Sequence, residues 1–330
     1  MTRELYGMPL ADARARLGGL EPVASIEAST AAGSRRIRVV NGPLDVDLLP
    51  DRGLDVAQVR AHGVPIAWTS ATGFPPLNAD AADGRGWARA FGGGLVTTCG
   101  LLNYGPQAVD GGIAHPMHGR YSSLSARVVR ADVVDDEVVV EGVVREASLF
   151  GSDLELRRRI TSPIGQTRLR IADVVVNRGN DAVEPMVLYH VNFGWPLVDE
   201  GTRLVSPALA VEPRDAAAAA GRARWDTFPA PAHPYPEQVF AHALPAGGEA
   251  EVVVDNPRGL SARVRFDASA LRGLFQWRVA EPGCHVLGIE PATAPTILGR
   301  ADARERGLLR ALEPGAALEL GVELELAGSL

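Results

Sequence analysis

His190 and Asn192 stand two residues apart in the stretch Met186-Val187-Leu188-Tyr189-His190-Val191-Asn192-Phe193-Gly194-Trp195-Pro196. The stretch begins as an alternating strand and ends in Gly-Trp-Pro, which a strand does not easily continue through. Side chains two apart on a strand face the same way, so His190 and Asn192 share a face with Leu188 behind them. An imidazole and an amide side by side at a strand end can hold a polar ring and move its protons. The competing reading is a buried histidine satisfied by backbone.

A proton partner is available late in the chain, in Gly283-Cys284-His285-Val286-Leu287-Gly288-Ile289-Glu290-Pro291. Glu290 closes this strand, with Gly288, Val286 and Cys284 on its face. Small and apolar neighbours desolvate a carboxylate, raise its pKa and make it a better base near neutral pH. Without such neighbours it would be a surface glutamate at a strand end. A third cluster is His115-Pro116-Met117-His118-Gly119-Arg120. If the segment is extended, His118 and Arg120 share one face and His115 takes the other. The arginine would offer a fork of donors to sugar hydroxyls or an oxyanion, or else pair with a carboxylate. A rival is His-x-x-His metal ligation by His115 and His118, completed by His190 and Glu290.

Weaker candidates surround these. Arg52 sits in a turn at Asp51-Arg52-Gly53-Leu54-Asp55, Trp277 is either a stacking face for a sugar or a core residue, and Glu237 ends a long loop. Phe91-Gly92-Gly93-Gly94-Leu95 is glycine-rich, but no helix pattern follows, so it reads as letting a strand pass close to a ligand or another sheet rather than as a phosphate loop.

The elements that must position these residues are strands. Leu44, Val46 and Leu48 alternate with Asp45 and Asp47. Val138 to Val144 is a β-branched run. Leu318, Leu320, Val322, Leu324 and Leu326 alternate with Glu319, Gly321, Glu323 and Glu325, the cleanest period of two in the chain. Leu169 to Val175 and Ala262 to Phe266 follow the same rule. Turn residues punctuate the runs at Asn41-Gly42-Pro43, Ser162-Pro163 and Asn256-Pro257, which is the rhythm of an all-β sandwich and not of βαβ units. Short helices are expected at residues 10–20, ended by Gly18-Gly19, and over Asp302 to Leu312 with Asp302 as cap, while Asp215 with Ala216 to Ala220 reads as one or two helical turns or a surface loop. Two long irregular stretches, Thr69 to Arg89 and Pro213 to Pro236, have a length usual for functional loops. With no linker or repeat, the expectation is one domain over 1–330.

Composition narrows the chemistry. All 33 basic residues are arginine, which excludes Schiff-base chemistry and a P-loop lysine. A net charge of −7 argues against a nucleic-acid surface. Cys99 and Cys284 fit no zinc pattern and read as two free, buried thiols. Met1 to Leu10 has no basic-then-apolar signal, and no apolar run approaches the ~20 residues of a membrane span. The expectation is a cytoplasmic protein without membrane contact, with a homodimer as the default assembly.

Taken together, Asp51-Arg52-Gly53-Leu54-Asp55, Gly92-Gly93-Gly94-Leu95 with Thr98-Cys99-Gly100-Leu101, His118-Gly119, Tyr189-His190-Val191-Asn192-Phe193-Gly194 and Gly288-Ile289-Glu290-Pro291 resemble the galactose mutarotase-like superfamily, the aldose 1-epimerases. Within it the chain is most similar to a bacterial branch of undetermined substrate. The resemblance implies a single large β-supersandwich with a few short helices and no cofactor or metal. It implies His190 as general acid on a sugar ring oxygen, Glu290 as general base on the anomeric hydroxyl, and His118 as a substrate-binding residue. For the arginine that binds sugar hydroxyls Arg52, Arg120 and Arg89 compete, and for the carboxylate Asp226 or Glu237. The chemistry would interconvert anomers by ring opening and closing, with the carboxylate and histidine on opposite sides of one small-molecule sugar. Alternatives are a non-catalytic carbohydrate-binding protein on the same fold, or a metal-dependent sugar isomerase or lyase.

Overall fold

The alternating runs form strands because each presents one apolar and one polar row, and two such sheets bury their apolar rows against each other. The computed structural model describes residues 4–77 and 86–328. An eight-stranded antiparallel sheet runs Arg127–Val134, Glu137–Ala147, Asp153–Pro163, Arg168–Asn177, Ala317–Ala327, Ser261–Asp267, Glu249–Asp255, Arg203–Val205. A larger sheet runs Ala210–Pro213, Gln238–Ala243, Gly273–Glu281, Cys284–Ala292, Leu188–Phe193, Val96–Cys99, Asp55–Ala61, Leu44–Leu49, Ser34–Val40, Ser25–Ala31. Val64–Pro65 pairs with Asp55–Ala61 off this path. The runs 44–48, 138–144, 169–175, 262–266 and 318–326 each lie within one of these strands; the strand carrying His190 begins at Leu188 instead of Met186, and the one carrying Glu290 runs through Pro291 to Ala292 instead of ending at Glu290.

Between the sheets lies one continuous apolar core. Val140, Leu156, Ile171 and Leu324 of the smaller sheet meet Leu48, Val56, Tyr189, Val191 and Ile289 of the larger. One polar tie crosses this core. The Arg158 guanidinium, fully buried, donates to Asp173 Oδ2 at 2.7 Å on its own sheet and to Asp55 Oδ1 at 2.7 Å on the other. Thr98 Oγ1 donates to Asp55 (2.7 Å) and the Tyr189 hydroxyl to Asp173 (2.8 Å). A buried charge needs such partners, because each unpaired one would cost several kcal/mol. The tie fastens the strand carrying His190 to the opposite sheet through the neighbouring Tyr189.

Three of the short helices fall near their expected places. Leu10–Leu17 ends at Gly18, whose φ of +75° is the left-handed stop that glycine adopts freely. Ala216–Gly221 is capped by the Asp215 carboxylate, which accepts from Ala218 N at 3.0 Å. The last helix is corrected: it spans Arg300–Glu305, with Gly299 at its cap and Asp302 inside the first turn. Asp302 accepts from Thr296 Oγ1 instead. A further turn, Gly86–Ala90, was not anticipated. The thiols are free as expected, Cys99 buried and Cys284 half-buried. No helix among the described residues is long and apolar enough to cross a membrane.

Candidate functional site

On the strand Leu188–Phe193, Tyr189, Val191 and Phe193 fill the core between the sheets. Leu188, His190 and Asn192 therefore face outward. Cys284–Ala292 lies alongside, antiparallel, pairing Leu188 with Ala292 and Val191 with Ile289. That register sets His190 directly across from Glu290, on the same outer face. His190 Nε2 and Glu290 Oε1 are 3.2 Å apart. His190 and Glu290 are thus neighbours on adjoining strands, not groups on opposite sides of a ligand.

Asn192 fixes the imidazole. Its Nδ2 donates to Gly94 O and to His190 O, both at 2.9 Å. With the amide nitrogen committed to two carbonyls, Oδ1 faces His190 Nδ1 at 2.6 Å and accepts its hydrogen. Nε2 is left with its lone pair toward Glu290. The pair is deeply buried, His190 4% and Glu290 2% exposed, so the surface-glutamate reading of Glu290 falls. Burial, with a smaller contribution from the Glu237 charge, pushes the Glu290 carboxyl up to about 8. Burial pulls His190 down to about 4, against the opposing pull of Asn192 and Glu237. Both shifts favour the uncharged pair, with one shared proton held on Glu290 and within reach of Nε2.

Aromatic rings enclose the pair. Trp277 pairs with Gly288 across the next strand and meets the His190 ring edge-on, centroids 5.3 Å apart. Glycine at 288 leaves this room freely: a Cβ there would lie 3.2 Å from both Glu290 Oε1 and Trp277 Cβ, so both would have to give by a few tenths of an ångström. Phe91 is 5.1 Å from His190, and Trp68 lies 5.8 Å from Trp277. Trp87 stacks on Phe91 at 4.3 Å and on His118 at 4.1 Å. His118 reaches to 6.0 Å from His190, and burial pulls its pKa down to about 3. At the rim, Trp277 Nε1 donates to Glu237 Oε2 (3.0 Å), and Arg214 donates to Glu237 Oε1 (2.9 Å).

Glu290, His190, Asn192, His118, Trp277 and Glu237 are therefore brought together. Arg120 is not. The extended reading of 115–120 is corrected, because His118 (φ +54°) and Gly119 (φ +72°) form a turn. A Cβ on Gly119 would lie 2.3 Å from Gly100 O, so that turn is pressed against the neighbouring chain. Arg120 swings to a separate cavity of about 750 Å³, which Glu146, Arg300 and His115 also line. His115 and His118 thus serve different places, and among the described residues no three His, Cys, Asp or Glu side chains are grouped to hold a metal ion. Arg52 is corrected too. Its fork is spent on backbone, NH1 to Ala90 O and NH2 to Pro75 O, both at 2.8 Å. Asp226 pairs with Arg203 at 3.3 Å, and Arg89 is exposed on the Gly86–Ala90 turn. Sequence reasoning missed Trp68, Trp87, Phe91 and Arg214 as members of the site. Trp87 and Arg214 do lie in the two long stretches singled out for length.

Solved structures carry the same fold. A protein from Klebsiella pneumoniae subsp. pneumoniae described as a "putative aldose 1-epimerase" is 23% identical, over 92% of this chain and 83% of that one, with a TM-score of 0.82. A galactose mutarotase-like protein from Clostridium acetobutylicum is 16% identical over 93% of this chain and all of the other, at 0.66. Galactose 1-epimerase from Lactobacillus acidophilus is 13% identical over 92% and 98%, at 0.60. At these identities the likeness establishes the galactose mutarotase-like β-sandwich, as the sequence led one to expect. No curated protein matches the chain. By the match of residues 31–326, the chain belongs to the family described as a domain of unknown function, DUF4432.

Proposed function

We propose that this protein is a carbohydrate isomerase of the aldose 1-epimerase type, interconverting the anomers of a cyclic sugar. The observation that carries the reading is the register that sets His190 against Glu290 at 3.2 Å in a buried, ring-lined recess. The anomeric hydroxyl and the ring oxygen of a cyclic sugar are bonded to one carbon. An acid and a base standing side by side can therefore address both.

In ring opening the hydroxyl proton passes to one member of the pair. The bond from the anomeric carbon to the ring oxygen breaks, its electrons go to the ring oxygen, and the other member delivers a proton there. An aldehyde forms, rotates about its carbon–carbon bond, and closes by the reverse transfers. The pair holds one proton before and after, so neither group needs regeneration by solvent. Glu290 as base and His190 as acid, the assignment implied by the family resemblance, follows once the resting proton crosses from Oε1 to Nε2. Each transfer is worth about 10²–10⁴-fold. His118, Trp277 and Glu237 would hold the sugar, the indole offering a face to its apolar side. A binding protein would need those contacts but not the paired acid and base.

Replacement Glu290→Gln tests this. It should abolish anomer interconversion, followed by polarimetry or NMR, with the circular dichroism spectrum unchanged. Activity surviving in the folded variant would remove Glu290 from the chemistry.

A further inference from the structure

The acid–base pair cannot be reached as it stands, because rings fill the space in front of it. The cover is small. Trp87, on the helical turn Gly86–Ala90, stacks on Phe91 just beyond that turn, with ring centroids 4.3 Å apart. That turn has no buried residue, and a single turn has no stability of its own. Its far end is fastened. Arg52 donates to Ala90 O and Pro75 O, while Ser70 Oγ (2.6 Å) and Thr72 Oγ1 (2.8 Å) donate to Phe91 O. The indole is also a poor partner for what it covers. Its face lies on the His118 ring, whose Nδ1 is buried with no hydrogen-bond partner. A buried imidazole nitrogen left unsatisfied is costly, and native structures rarely keep one without a use.

We propose that Trp87 is a built-in occupant of the substrate subsite, and that substrate binds by displacing the Gly86–Ala90 turn and taking the place of the indole on His118. This rests on the sugar-isomerase reading above and extends it to how the site is filled. The ligand that fits is a cyclic polyol of about the breadth of an indole. It needs an apolar face for the ring of Trp277 and a hydroxyl for His118 Nδ1. Arg52 is then the latch of the cover, its guanidinium holding backbone carbonyls instead of a ligand. Affinity is reduced by the fraction of molecules in which the cover is closed.

The test needs no substrate. Diethyl pyrocarbonate acylates neutral imidazole, and peptide mass spectrometry reports each histidine separately. Exposed His62 serves as the internal reference. In the native protein His190 and His118 should react far more slowly than His62. Trp87→Ala removes the occupant, and Arg52→Met releases the latch while keeping every ring. Either should speed acylation of His190 and His118 on the order of tenfold, since about two ring stacks hold the cover shut. Trp87→Phe should restore most of the protection. Unchanged rates in both Trp87→Ala and Arg52→Met, with both variants folded by circular dichroism, overturn the proposal. A second arm measures binding of pyranoses to Trp87→Ala by saturation-transfer NMR, where tighter binding than to the native chain is expected. Faster acylation with no sugar bound keeps the cover and overturns the sugar reading on which its occupant rests.

Discussion

Glu290 should make the protein less stable as pH rises through neutrality, and removing its charge should cancel that loss. Its pKa is 4.5 in an ordinary setting and about 8 in the fold. Below 4.5 the carboxyl is protonated in folded and unfolded chains alike and does not bear on stability. Above 4.5 the unfolded chain releases the proton and the folded chain keeps it. The unfolded state then binds fewer protons, so stability falls as pH rises, until the folded carboxyl also ionises near 8. At about 1.4 kcal/mol for each pH unit in that window, the whole loss comes to about 5 kcal/mol. His190 shifts the other way, from 6.5 to about 4, and costs stability only below pH 6.5. The interval from 6.5 to 8 therefore isolates Glu290, which contributes about 1–2 kcal/mol there once its own ionisation near 8 is included. Urea unfolding of the native chain and Glu290→Gln at pH 6.5 and 8.0, followed by tryptophan fluorescence, reads this directly. The variant should gain about 1–2 kcal/mol on the native chain between the two pH values, other titrations cancelling in the difference. A difference that stays constant would mean that Glu290 is already ionised at pH 6.5, in an ion pair with protonated His190, and would refute the neutral pair.

Two further outcomes follow from the same geometry. Enzymatic anomer exchange, measured by NMR from pH 3.5 to 9 and corrected for the spontaneous reaction, should hold a plateau between limbs near 4 and near 8. The lower limb is the second proton arriving on His190 and the upper the loss of the shared proton from Glu290; a rate still rising at pH 9 would contradict the one-proton pair. Arg158→Met should destabilise the fold by about 3–5 kcal/mol in thermal or urea unfolding, because it strands Asp55 and Asp173 between the sheets; a loss below about 1 kcal/mol would mean that the tie is dispensable.

The strands were legible because their alternation is local: Ala317–Ala327 needs no partner to be recognised. Glu290 was legible as a proton partner for His190 from its own strand neighbours, and the family resemblance gave the two their roles, but their contact was not legible. A sequence shows that each residue faces one side of its own strand. It does not show the register that places them 3.2 Å apart, because register depends on turns and packing a hundred residues away. Arg120 went astray for a different reason. Assigning it a face with His118 assumed extended backbone, and positive φ at a non-glycine residue leaves little trace in sequence. Arg52 looked like a ligand because a lone arginine in a turn has no visible partner, and its partners are backbone carbonyls, which every residue carries. Trp87 escaped because Thr69 to Arg89 has no hydrophobic period by which one ring could be singled out.

The neutral pair and the aromatic cover have one physical cause. Water at Oε1 would stabilise the carboxylate, and water at Nε2 the imidazolium. Trp87, Phe91 and Trp277 deny it to both, so the proton stays on Glu290. A cover that simply opened would admit water, ionise the carboxyl and spoil the arrangement it protects. A cover displaced by a sugar does not, since the sugar replaces one ring by another and brings a hydroxyl and a ring oxygen to the atoms that water would have reached. The pair then meets the two oxygens it can serve in a medium where a proton shift costs little solvent reorganisation. On the proposed reading, displacement of the cover by the reactant keeps the acid and base matched until the reactant is in place, while brief opening without it leaves them open to water.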